Sequence, residues 1–173
     1  MRVRECKRRY AKPLQNKKIY GSVPMVEELV TCKSVGVYQH ALTRGKQYEV
    51  VDSDNEKYRV VGDHGKRIWI EKSYFRQGSV ALLMMSKWKF DQDVKDNNFV
   101  EITIRFNDGS SRWCNITTPD NIKKHFEIAL LDPPGMIGNH MIIMKSFNEE
   151  EIEKTLRYFD SQGELECITK PLV

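Results

Sequence analysis

The side chains in this sequence with the intrinsic means for catalysis or metal binding are scattered. Cys6, Cys32, Cys114 and Cys167 occur singly along the chain, as do His40, His64, His125 and His140. None stands at the C-x-x-C or H-x-x-x-H spacing that lets two ligands converge on one ion, so no metal site is predicted. Cys114, between Trp113 and Asn115, would need a histidine within hydrogen-bond reach to act as a nucleophile, and the sequence places none beside it. It reads as a small buried hydrophobe instead. Glu149, Glu150 and Glu151 resemble a carboxylate cluster, but successive helical residues face different ways, and acids in a first turn complement the helix dipole. Gly135 and Gly138 precede an expected strand, whereas a phosphate-cradling loop must lead into a helix. No catalytic residue and no cofactor is assigned. The chain reads as a binding protein more than an enzyme, with the question of activity left open.

Binding is easier to place. Arg44, Lys46 and Arg67, with Trp69, form a basic and aromatic set suited to an acidic protein surface or to nucleic acid. Trp69 lies on a strand of period two and points opposite to Ile68 and Ile70, so one side of that run is exposed unless a partner or another part of the chain covers it. A second basic set is the stretch from Met1 to Lys18, which carries eight Lys or Arg against the single Glu5, a net of +7. The whole chain is +4, so the remainder is −3. Arg2, Arg4, Lys7, Arg8, Arg9 and Lys12 could neutralise phosphates there, with Tyr10 or Tyr20 stacking on bases. The competing reading is a solvated tail, because Pro13, Gly21 and Pro24 interrupt any helical period.

The elements that position these residues begin with three alternating runs, Gln47 to Val51, Lys57 to Val61 and Lys66 to Ile70. Turn-forming stretches at Asp52 to Asn55 and Gly62 to Gly65 separate them, which predicts a three-stranded meander. A meander needs further strands to close a core, and Leu29 to Cys32 is the nearest candidate. Ser79 to Phe90 reads as another strand, with Met84 and Met85 as core filler. Val100, Ile102, Ile104 and Phe106 alternate with polar residues, and Asp108-Gly109 turns that strand back through Arg112 to Ile116. Thr118-Pro119 starts a helix with the stripe Ile122, Phe126 and Leu130. Met141 to Met144 is an expected buried strand. Asn148 caps a second helix whose buried face is Ile152, Leu156 and Phe159; Gly163 ends it, and Glu164 to Thr169 is expected as a last strand.

The spacing L-x-x-G-x-x-Y-x-V from Leu42 and I-x-x-S-Y-F from Ile70 resembles an SH3-like barrel over about 48 of the 173 residues, Glu28 to Phe75. Peptide-binding members carry a ligand-facing tryptophan where this chain has Lys57 and a groove proline where it has Glu71. Only Tyr74 remains of that groove, so the resemblance does not carry proline-rich recognition with it. The later stretch resembles small uncharacterised bacterial proteins from phage and mobile-element neighbourhoods. That likeness rests on the turn between Phe106 and Trp113, Met141 to Ile143, the E-x-I-E-x-x-L from Glu150 and Gly163 to Glu166. It implies an accessory protein and transfers no active residues.

The fold class expected is thus an all-β SH3-like barrel plus an α+β C-terminal domain, an antiparallel sheet with two helices on one face. The division is residues 1–27 as a basic arm, 28–76 as the barrel and 77–173 as the α+β unit. Aliphatic and aromatic residues make up 40% and charged ones 30%, which excludes global disorder. No run approaches the ~20 apolar residues that span a bilayer. The charged N-terminus lacks a secretory pattern, so reduced thiols and a cytoplasmic setting are expected. The expected function is a non-enzymatic protein that binds another macromolecule, a protein in an inhibitor, immunity or adaptor role. The alternative is a nucleic-acid-binding accessory protein using the basic arm.

Overall fold

Tyr48 and Val50, then Tyr58 and Val60, share one side of their strands, and burying that side draws the front of the chain into a sheet. The computed structural model describes residues 28–95, 97–128, 135–136 and 138–172. The basic arm, Arg2, Arg4, Lys7, Arg8, Arg9 and Lys12 included, lies outside the described residues. Five strands, β1 (Leu29–Cys32), β2 (Gln47–Ser53), β3 (Lys57–Val61), β4 (Arg67–Glu71) and β5 (Phe75–Gln77), run in the order β4-β3-β2-β1-β5. Every neighbouring pair is antiparallel. Val30, Tyr48, Tyr58, Val60, Ile70 and Phe75 fill one apolar cluster on the inner side. The closed barrel expected from the sequence is corrected to an open sheet. A 3-10 turn at Lys72–Tyr74 carries the chain from β4 to the far edge, where β5 pairs with β1, and among the described residues no strand bridges back to β4.

A second, separate sheet holds β6 (Met85–Phe90), β7 (Phe99–Phe106), β8 (Ser111–Thr117), β9 (Met141–Ile143) and β10 (Lys170–Pro171). Its order is β10-β8-β7-β6, with β9 parallel along the other half of the β8 edge. The β7–β8 hairpin turns at Asp108-Gly109, and Gly109 has the positive φ of 86° that such a turn demands. The strand expected from Ser79 starts only at Met85. Upstream, backbone groups find partners outside any ladder: the Val80 N–H donates to the Thr31 hydroxyl, and the Leu82 carbonyl accepts from the Asn107 amide.

Helix α2 (Glu149–Gln162) begins where Asn148 accepts a hydrogen bond from the Glu151 N–H at 3.1 Å, and ends at Gly163, φ 73°. Its Ile152 and Leu156 pack with Val100, Ile102, Ile104, Cys114 and Ile116 from the inner side of the second sheet. Two expectations fail here. Helix α1 (Pro119–Ile128) forms where Thr118 caps it, yet buries none of its residues, and Phe126 is 46% exposed. Among the described residues α2 is therefore the helical layer over the sheet, not one of two. Residues Leu165–Ile168 are a short helix, α3, not a strand. Arg112 of β8 takes the Glu166 and Thr169 carbonyls at 2.7 Å each, which fixes this segment as a turn instead of a ladder. Among the described residues no helix is long and apolar enough to cross a membrane.

Candidate binding surfaces

Antiparallel pairing brings the residues of β3 and β4 opposite one another as Lys57 to Glu71, Arg59 to Trp69 and Val61 to Arg67. Because Tyr58, Val60 and Ile70 point inward, these six share the outer side. Trp69 is 40% exposed and Val61 44%. The Arg59 guanidinium sits 5.9 Å from the Trp69 ring centroid, a cation–π contact. Arg67 stands exposed beside them, on a strand whose other edge has no partner among the described residues. Arg59 did not emerge from the sequence as a site residue. Alternation with Tyr58 and Val60 puts Arg59 on the outer side of β3, but only the pairing register sets it opposite Trp69.

The rest of the expected patch is dispersed. Arg44 is buried at 8% exposure and serves the junction between the two sheets. Its guanidinium donates to the Lys33 and Leu83 carbonyls at 3.0 and 2.8 Å and pairs with Asp160 of α2 at 3.1 Å. The Val35 N–H adds a bond to the Ser161 carbonyl at 3.1 Å. Gly163 completes the close approach: a Cβ there would lie 2.9 Å from the Lys33 carbonyl oxygen. Arg44 is corrected from a surface contact to an internal tether. Tyr74 is half-buried and packs edge-on against Tyr38 at 5.4 Å, while the Tyr38 hydroxyl donates to Glu71 at 3.0 Å. Lys57 pairs with the same Glu71 at 3.6 Å.

Lys46 is engaged with Asp63. Its ammonium lies 2.6 Å from that carboxylate, which also accepts from the Thr43 and Tyr48 hydroxyls at 2.7 and 3.0 Å. Burial pushes the Asp63 carboxyl up, but the bonds from Lys46, Thr43 and Tyr48 outweigh it and leave its pKa lowered. Burial likewise pushes the Tyr48 phenol up to about 12, so it remains a donor. A carboxyl with its folded pKa below the unfolded ~3.9 gives stability that is present above that value and lost as pH falls through the folded pKa. Asp63→Asn is therefore expected to flatten the acid limb of the stability curve below about pH 4. Urea midpoints across that range measure it, and an unchanged slope would refute the assignment.

The two buried cysteines, Cys32 and Cys114, are held as thiols. Burial pushes the Cys114 thiol up to about 12 and the Cys32 thiol up to about 11, so neither supplies thiolate near neutrality. His40 and His64 stack at 5.7 Å, and His64 Nδ1 accepts from the Lys66 N–H, which occupies it in its own turn. Among the described residues no group of three His, Cys, Asp or Glu side chains could hold a metal ion.

No family model, curated protein or solved structure matches the chain. Its class rests on its own architecture, a mostly β protein of two sheets, one antiparallel and one mixed, with a few helices.

Proposed function

We propose that this chain is a non-enzymatic binding protein of the adaptor, inhibitor or immunity kind, which holds a protein partner on the outer side of β3 and β4. The observation that carries this is the exposed Trp69 and Val61 flanked by Arg59 and Arg67 across β3 and β4, with the outer edge of β4 free among the described residues. Tryptophan and arginine are the residues most often responsible for interface energy. The free edge offers main-chain hydrogen bonds to an extended segment, and the two arginines select an acidic one.

The front sheet is read as an SH3-like module. Supporting this are its strand order and the 3-10 turn between β4 and β5. The Lys57–Glu71 pair stands against a proline-rich ligand at this surface. The three described cysteines are free, consistent with a reducing cytoplasm. On this reading the chain joins the accessory proteins of bacterial or phage mobile elements.

Partner capture from native cytosol tests the reading. Trp69→Ala and Arg59→Glu are expected to weaken the captured complex about thirtyfold each, the effect of losing ~2 kcal/mol at an interface hot spot. A partner held equally well by both variants would refute this surface.

A further inference from the structure

The second sheet has two faces, and α2 covers only one. On the other face, over which no described helix packs, the register lines up residues that stand 81 positions apart at the extremes. Lys89 of β6 lies opposite Thr103 of β7, Thr103 opposite Trp113 of β8, and Trp113 opposite Lys170 of β10. The alternate residues Ile102, Ile104 and Cys114 are fully buried on the α2 side, which places this row on the opposite side, where Lys89 is exposed and Thr103 is only 8% exposed. In the next row Lys87 lies directly opposite Arg105, both exposed.

Like charges directly opposed across a strand pair are unfavourable unless an anion lies between them. Among the described residues neither Lys87 nor Arg105 nor Lys170 has a carboxylate within salt-bridge distance. The carboxylates of this face are Asp91, which is taken by Lys89 at 2.6 Å and by the Thr103 hydroxyl, and the half-buried Glu101. A cleft of about 210 Å³ is lined by Lys87, Trp88, Lys89, Thr103 and Arg105. Beside it Trp113 is half-exposed, with the Lys170 ammonium 5.9 Å from its ring centroid.

We propose that this face binds single-stranded nucleic acid, with Trp113 stacking on a base and Lys87, Arg105 and Lys170 neutralising the flanking phosphates. A flat basic sheet with one aromatic platform suits unpaired bases, whose faces are open to stacking. It offers no helix for a duplex groove. Protein interfaces are depleted in lysine and gather apolar residues at their centre, whereas this face sets Lys87, Lys89 and Lys170 with Trp113 among Thr103, Ser111 and Asn115, the His140 ring lying edge-on 6.5 Å from that of Trp113. The inference uses none of the residues of β3 and β4 and is independent of the protein-binding reading.

The test is anisotropy of a labelled short oligothymidylate with the full chain at low salt. Wild type is expected to bind, with a matching duplex weaker. Trp113→Ala should lose roughly ten- to a hundredfold in affinity, the cost of one base stack, while Trp113→Phe keeps most of it. The double variant Lys87→Gln/Arg105→Gln should lower the slope of log affinity on log salt by about 1.4, at about 0.7 per phosphate contact. Far-ultraviolet circular dichroism checks folding; if Trp113→Ala unfolds, the phenylalanine and charge variants decide. No binding at low salt overturns the proposal and leaves the face to a protein. Binding unaltered in the alanine and double variants also overturns it, by placing the contact elsewhere in the chain.

Discussion

Asp160→Ala is expected to lower the unfolding free energy by about 3–5 kcal/mol, the cost of leaving a buried charge without its partner. Arg44 and Asp160 have side chains only 6% and 8% exposed, so the guanidinium left behind stays largely out of bulk water. The guanidinium would keep its bonds to the Lys33 and Leu83 carbonyls, which hold it in place without neutralising it. Burial pushes the Asp160 carboxyl up, with Arg44 and Arg157 pulling the other way. The ionised pair therefore specifies where α2 meets the first sheet more than it stabilises the fold. Accordingly Arg44→Met/Asp160→Leu is expected to recover most of the loss, since apolar replacement of a buried pair is often neutral or favourable. Urea unfolding of the single and double variants measures both. A single-variant loss under about 1 kcal/mol would mean that the pair behaves as a surface bridge.

Leu156→Ala should cost about 2–5 kcal/mol, the range for truncating a large aliphatic side chain in a packed core. Leu156 is 1% exposed and belongs to the cluster with Ile102, Ile104, Ile116 and Ile152. Helix α2 is the helical cover of that sheet among the described residues, so nothing described is placed to collapse into the space left behind. Trp88 reports the event locally, because its indole N–H donates to Glu153 of the same helix. Trp69 reports the first sheet. In wild type the two signals are expected to change at one urea midpoint, since Arg44, Val35 and Gly163 join the sheets. In Asp160→Ala they should separate. A Leu156→Ala loss below about 1 kcal/mol would refute the packing described.

Much of the local structure was legible. Alternation placed β2, β3 and β7, and put Trp69 on the opposite side from Ile70. Side-chain chemistry placed the ends of α2, because an Asn148 cap and a Gly163 in the left-handed region act within one turn. The α1 stripe predicted a helix correctly and burial wrongly. Period 3.6 says which residues share a face, not whether anything lies against it. The α3 segment was misread because its sequence suits a strand as well, and Arg112, reaching from β8, takes its carbonyls.

The candidate sites were less legible for the same reason. Arg44 has the sequence character of a surface cation, and only Asp160, 116 residues further on, makes it an internal one. Arg59 joins Trp69 through the pairing of β3 with β4, which alternation within either strand does not set. Taken alone, the sequence determined which residues alternate and where turns and caps fall. The tertiary structure decided which strands pair, which helix covers which face, and which cations stand opposite each other. Propensity and periodicity act over a few residues, whereas pairing across a sheet is settled by the burial of whole faces formed from distant parts of the chain.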